Sequence, residues 1–445
     1  MFIRKYPMLI LIFAFILSIS FSSFNINKFD KIEEESHLMI RGDIDLIWKE
    51  AQSFKNNFIS KKPILESGLE YKRTFLPSKL LAFYSILSSN ELFETSTGKY
   101  KVGGKFLYLF IQSLIYYLSV YFFYNKLEIF YRDKKRSYYI LLFLCFEPTI
   151  IQWHSSFWTE SLYLSFQLII FGMVIKDEKK NFDFFLIGLF TGILLLQKTV
   201  AFFLVFILLV YFLIDKSNKK YVNCLLILLG YLFVIAFLAF SNFKKTGIFY
   251  VMPSQTKDAH YTVFLPQIYL KKNEPEKILF QKERLEEWKI KNNYDENNFK
   301  KKKDLNDYKQ SIAINEILKN KLISFEIYLI NTLHHTLLNP FQVYYWHEYN
   351  KSSYKIEYHL SEDKKKWLLF RIIYSSIFYL LIILGVINLI NRKKQLNFHI
   401  MIFSCVLYYA FMLGWVGNTR YFVPSIILLS IFFGNGIYSI INFKK

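Results

Sequence analysis

Two carboxylates stand two residues apart, behind a glycine, in Arg41-Gly42-Asp43-Ile44-Asp45. A carboxylate set against a substrate hydroxyl can take its proton as a general base. Two such groups can also share a divalent cation, Mg or Mn, through oxygen ligands. The residues that follow have helical periodicity, with Ile47, Ala51 and Phe54 on one face. Asp43 is therefore also a good N-cap and Asp45 a good first-turn acid, so a structural role is open to both. Groups suited to a phosphate recur farther along, beside apolar runs: Glu147-Pro148, then Gln152, His154 and Glu160 around a short turn, then Gln197-Lys198, then Asn418-Thr419-Arg420-Tyr421. Lys and Arg are natural partners for a phosphate that gains charge as it leaves. Each has a plainer alternative. Glu160 suits a helix N-terminus with Thr159 as its cap, Lys198 and Arg420 can snorkel to lipid headgroups, and His154 can be an interfacial histidine without ligand duty.

The setting of these residues is a membrane. The chain has 445 residues, 53% of them hydrophobic and 20% aromatic, with 48 Phe and 33 Tyr, and the apolar residues lie in long runs. A nearly uncharged run of about 18 residues or more reads as a membrane helix. Runs fall at about 8–24, 105–124, 138–152, 157–175, 183–197, 199–214, 222–241, 367–390, 397–414 and 421–440. The expected fold class is thus an all-α polytopic membrane protein, with about ten transmembrane helices plus outer-face amphipathic helices. The first run, preceded by Arg4 and Lys5, reads as an uncleaved anchor rather than a signal peptide. Three parts follow: an N-terminal transmembrane module, 1–241, whose first outer loop is 25–104; an outer, largely helical region, 242–366; and C-terminal transmembrane helices, 367–445. No internal repeat is evident, which gives an inverted-repeat transporter no support. Cys145, Cys224 and Cys405 each lie inside an apolar run and read as small buried hydrophobes.

The formal net charge of +21 would suggest nucleic acid in a soluble protein. Here no nucleic-acid motif is found, and the bases gather at helix ends, where topology and anionic lipid account for them. With the N-terminus in the cytoplasm, fourteen Lys and Arg fall in the inner short loops, among them Lys134, Lys180, Lys219 and Lys393, while the outer connections hold only Lys198 and Arg420. The positive-inside rule then puts both termini in the cytoplasm and both long loops, with Asp43 and Asp45, outside. The abundance of Lys, Ile, Asn and Phe suits an AT-rich bacterial genome and hence a bacterial inner membrane. In the outer region, 253–269 is expected to cover the site, 271–320 to be a charge-rich solvated helical insert, and 322–338 to lie flat on the membrane surface.

Taken together, the pattern resembles the GT-C class of membrane glycosyltransferases, closest to the bacterial relatives of protein O-mannosyltransferases and lipid A aminoarabinose transferases. Gly42-Asp43, with Ala51 eight residues on, is similar to that class's acidic motif in the first outer loop. It departs from the motif in having Ile44 for the usual second acid and Ile47 for the usual tyrosine, with Asp45 as a substitute acid. Tyr71-Lys72-Arg73-Thr74-Phe75-Leu76-Pro77 resembles the basic-proline segment. Glu147-Pro148 and Thr159-Glu160 resemble the later proline and Thr-Glu positions. Gly188-Leu189-Phe190-Thr191-Gly192 followed by Gln197-Lys198 resembles the small-residue helix that ends in lysine, and Arg420-Tyr421-Phe422-Val423-Pro424 the late Arg-Tyr-x-x-Pro.

The resemblance implies transfer of a sugar from a polyprenyl-phosphate donor to an acceptor at the outer face, with membrane lipid and that donor as partners. It implies Asp43 as base, with Asp45 beside it, and Arg73, Lys198 and Arg420 on the phosphate. Tyr421, His154 and Glu160 stand near the substrate, with Asp43, Asp45 and Glu160 as candidate metal ligands. Two other readings compete: a transporter or flippase of lipid-linked saccharides, whose charges would sit near the midplane, and an O-antigen-type polymerase or ligase, whose key residues would lie in a large late loop.

Overall fold

The computed structural model describes residues 7–30, 50–56, 75–87, 102–154, 160–214, 218–251, 260–295, 298–337, 362–390, 395–416 and 422–442. These are helical almost throughout, and no strand occurs among the described residues. Among the described residues, four helical stretches are long and apolar enough to cross a membrane: Phe106–Tyr131, Lys220–Lys244, Ile372–Ile390 and Val423–Asn442. Shorter apolar helices accompany them, among them Glu160–Val174, Asn181–Gln197 and Leu396–Met412. Many large apolar side chains face outward along these helices, such as Phe13, Phe206, Phe233 and Ile383. Such a surface suits lipid and not water.

Helix ends follow local chemistry. The expected run 138–152 is not one helix. It divides into Lys134–Phe146 and Pro148–His154, because a residue before proline is driven out of the α region, and Glu147 is extended with ψ 121°. Asp133 caps the first of the two, accepting the Lys135 N–H at 3.0 Å. The Lys220–Thr246 helix stops at Gly247, whose φ of +69° is the left-handed C-cap that glycine tolerates best.

Packing brings some backbones very close. A Cβ built on Gly188 would lie 1.9 Å from the Ile227 carbonyl oxygen, and one on Gly230 2.2 Å from that of Phe185. The Asn181–Gln197 and Lys220–Thr246 helices therefore pack through small residues, as membrane helices do where no hydrophobic force drives association. Gly385 makes the same approach to the Phe432 carbonyl oxygen, at 1.8 Å, between the Glu362–Ile390 and Val423–Asn442 helices. Gly188→Val and Gly385→Val should each cost about 1–3 kcal/mol or more, seen as a lower thermal midpoint in detergent. Unchanged midpoints in both would contradict this packing.

Polar contacts sort the helix ends into two groups. At one end Tyr131 Oη lies 2.9 Å from His399 Nε2, Gln395 Nε2 donates to the Phe130 carbonyl oxygen at 2.7 Å, and the Arg136 guanidinium lies 4.4 Å from the Tyr438 ring centroid. At the other lie Glu147, Glu160, Lys198 and Pro424. The segments expected at 271–320 and 322–338 form three helices, Glu276–Lys291, Phe299–Lys319 and Lys321–Leu337. The last packs on the end of the Leu396–Val416 helix: Tyr328 Oη donates to the Phe411 carbonyl oxygen at 2.9 Å, and Asn331 Nδ2 to that of Gly414 at 3.3 Å. Its other face exposes Leu322, Phe325, Leu329 and Leu333 at helical spacing.

Candidate functional site

Lys198 sits in a helix break. The Asn181–Gln197 helix ends at it, a single 3-10 turn, Thr199–Ala201, follows, and Leu204–Ile214 resumes the helix. Its backbone is extended, so its side chain leaves the helical path at the end of the bundle. Its own N–H still reaches the Leu194 carbonyl oxygen at 3.0 Å, which fixes where the break lies. Opposite it, the Glu160–Val174 helix begins with Glu160 in its first turn, where the helix dipole favours an acid.

The two side chains meet. Lys198 Nζ donates to Glu160 Oε1 at 2.7 Å. Glu160 is 0% exposed and Lys198 5% exposed. Of the plainer alternatives, this overturns snorkelling of Lys198, because the ammonium is turned inward onto a carboxylate. A charge pair taken this far out of water needs good geometry to offset desolvation, and losing one partner is costly. The pair joins residues 38 apart in sequence and lies beside buried Gln197.

Two further groups stand at this end. Glu147 is buried at the break before Pro148. Its Oε2 accepts the Ile150 N–H at 2.7 Å, and its Oε1 accepts the Tyr374 hydroxyl at 3.1 Å. Gln167 Nε2 donates to the Pro424 carbonyl oxygen at 3.1 Å, tying the helix that carries Glu160 to the start of the last helix. Tyr163 and Tyr409 share a hydrogen bond at 2.7 Å, and Tyr408 donates to the Val200 carbonyl oxygen at 2.5 Å. The Leu396–Val416 helix is thereby bound both to the turn that follows Lys198 and to the helix that carries Glu160. Neither the tyrosine pair nor the Gln167 contact was anticipated. Tyr163 and Tyr409 are 246 positions apart, and no local spacing marks such a pair.

The first polar region is anchored close by. Residues 50–56 are helical, as the periodicity after Asp45 predicts. Glu50, 2% exposed, pairs with Lys79 at 3.7 Å, and Lys79 lies 4.4 Å from the Phe54 ring centroid. Lys55 Nζ donates to Ser85 Oγ at 2.9 Å. The Phe75–Leu87 helix that carries these partners puts Leu76 against Leu196, Val234 and Leu238. Leu196 is two residues from Lys198. Glu50 thus belongs to an assembly that rests on the helix ending at Lys198.

Asp43, Asp45, Arg73, Arg420 and Tyr421 lie outside the described residues, as does the side chain of His154, whose backbone closes the Pro148–His154 helix. Of the expected site residues, the structure therefore brings together Glu160 and Lys198. His260 lies 5.4 Å from the Trp415 ring, and burial lowers its pKa. Its imidazole is therefore neutral at neutral pH and suits packing more than phosphate binding. Among the described residues no three His, Cys, Asp or Glu side chains gather as metal ligands, and the Oε1 of Glu160 already meets an ammonium. Glu160 is thus a poor metal ligand in this arrangement. No protein-family model matches the chain, and no curated protein matches it significantly.

Proposed function

We propose that this chain is a GT-C-like glycosyltransferase with about ten transmembrane helices. It moves a sugar from a polyprenyl-phosphate donor to a lipid, glycan or protein acceptor at the outer face of a bacterial inner membrane, with both termini in the cytoplasm. The observation that carries the reading is the buried Glu160–Lys198 pair, set in a helix break at one end of an apolar bundle. An intramembrane charge is rare enough to be a functional hypothesis by default. A cation held by a fixed acid at a helix break is already oriented for an incoming anion, and needs little rearrangement when charge develops there.

In the proposed reaction Asp43 takes the proton of the acceptor hydroxyl. The acceptor oxygen bonds to the anomeric carbon as the bond from that carbon to the phosphate oxygen breaks. The electron pair leaves with the lipid phosphate, whose added charge is met by Lys198, Arg73 and Arg420. Glu160 acts as a positioning residue through Lys198. The anchoring of residues 50–56 beside the Lys198 helix supports the reading, since Asp45 precedes Glu50 by only five positions in the sequence. No step requires a metal.

The test uses purified full-length protein in liposomes with a polyprenyl-phosphate sugar. The expected result is donor consumption with release of polyprenyl phosphate and glycosylation of an added acceptor. Movement of an intact lipid-linked saccharide between leaflets, with no covalent transfer, would replace this reading by the flippase.

A further inference from the structure

The chain leaves the helical ladder at Lys198, and carbonyls of the turn that follows are taken by tyrosines. Tyr408 donates to the Val200 carbonyl oxygen at 2.5 Å, and Tyr231 to that of Phe202 at 2.9 Å. The Phe206 N–H, which a continuous helix would direct to Phe202, turns instead to the Phe203 carbonyl oxygen at 3.1 Å. Backbone groups freed inside an apolar bundle need such partners. Here they come from two separate helices, Leu396–Val416 and Lys220–Thr246.

The helix of Glu160 is held in a similar way. Glu160, Tyr163 and Gln167 are spaced by three and four residues, so they share a face of the Glu160–Val174 helix, and all three are fully buried. Each meets a different element: Lys198 at 2.7 Å, Tyr409 at 2.7 Å, and the Pro424 carbonyl oxygen at 3.1 Å. Tyr408 and Tyr409 are adjacent, and adjacent helical side chains point about 100° apart. One dipeptide of the Leu396–Val416 helix thus grips both the turn beyond Lys198 and the helix that starts at Glu160. That helix is in turn fixed by Lys321–Leu337, whose Tyr328 and Asn331 donate to its Phe411 and Gly414 carbonyl oxygens.

We infer that Tyr231, Tyr408 and Tyr409 are positioning residues for the Glu160–Lys198 pair, and that they fix where the ammonium stands as the donor's phosphate gains charge. The inference rests on the proposed transferase reading. As packing alone, interhelical hydrogen bonds in a membrane contribute modestly to stability. Their placement here does more. Lys198 is extended and followed by a single 3-10 turn, so no continuous helix aims its side chain. The aim is set by contacts from other helices, and the tyrosine hydroxyls supply them. A misplacement of about 1 Å in the groups around a reaction can cost about 10²-fold in rate. The three tyrosines act through Lys198 and Glu160 and not on the substrate.

The test compares two paired variants. Tyr163→Phe with Tyr409→Phe removes both hydroxyls of one bond, leaves neither orphaned, and is nearly neutral for folding. Tyr231→Phe with Tyr408→Phe frees the turn after Lys198 and keeps the rings. The kcat and the donor KM are measured with a polyprenyl-phosphate sugar on full-length protein in liposomes, in the wild-type background and again with Glu160→Gln and Lys198→Met. Each tyrosine pair should lower kcat by about 10–10²-fold. Donor KM should stay within about twofold, because the lost interaction is one made in the transition state. With the ion pair already removed, the same substitutions should cost less than about twofold more, since they act through groups no longer there. Wild-type kcat in either tyrosine pair, a change confined to KM, or an equal loss in both backgrounds would overturn the inference and leave the transferase reading standing. Absence of transfer by the wild-type protein would overturn both.

Discussion

Lys198→Ala should unfold far more easily than the wild type, by about 3–5 kcal/mol, and should also lose transfer. Glu160 is wholly buried, and its Oε1 receives the Lys198 ammonium at 2.7 Å. Removing the lysine takes from a fully buried carboxylate the ammonium that neutralises it. From the sequence alone the same substitution is expected to weaken use of the donor while leaving the protein folded; the buried pairing reverses the second half of that expectation. The two consequences separate in the double variant Glu160→Gln with Lys198→Met. It leaves no unpaired charge, and replacing a buried pair by groups of similar volume is often nearly neutral. Its thermal midpoint in detergent should return most of the way to wild type. Its turnover should stay down by about 10²–10³, the usual loss when one stabiliser of transition-state charge is removed. A double variant that is both stable and active would make the pair structural only.

Asp43→Asn is the second large effect. The reference pKa of aspartate, about 3.9, makes the carboxylate its ordinary form at neutral pH, which is the form a general base needs. Asparagine keeps the size and the capping ability of Asp43 but cannot act as base. Turnover should fall by about 10² or more, with little change in thermal midpoint. Asp45→Asn should do less unless Asp45 supplies the second acid for a divalent cation, in which case excess Mg or Mn should partly rescue it. Full transfer by Asp43→Asn together with a dead Asp45→Asn would move the base to Asp45.

What was legible in the sequence is what depends on local pattern. Apolar runs announce helices, and the helix at Lys321–Leu337 lies within a residue of the segment expected at 322–338. The basic loops and the two lone cations, Lys198 and Arg420, were visible as charges out of place. The break at Glu147 was hidden inside an apolar run, although Pro148 carries its physical cause. The partners of Lys198 and Tyr163 were not legible at all. Glu160 is 38 residues from Lys198 and Tyr409 is 246 from Tyr163, and such contacts arise from how helices pack, which one chain read alone does not encode in any spacing. Glu160 was marked as a candidate and Lys198 as another, but nothing in their positions said that they would neutralise each other.

In the proposed transferase the donor's phosphate binds where the Lys198 break and the anchored first polar region meet. Photocrosslinking tests it most directly: a polyprenyl phosphate with a photoreactive group beside its phosphate is bound to the full-length protein, irradiated, and the adducts are mapped by peptide mass spectrometry. Adducts should concentrate in residues 41–56 and 197–201 and diminish in the Glu160→Gln, Lys198→Met double variant. Adducts confined to the opposite end, around residues 131–139 or 214–222, and unchanged by that double variant, would contradict the account.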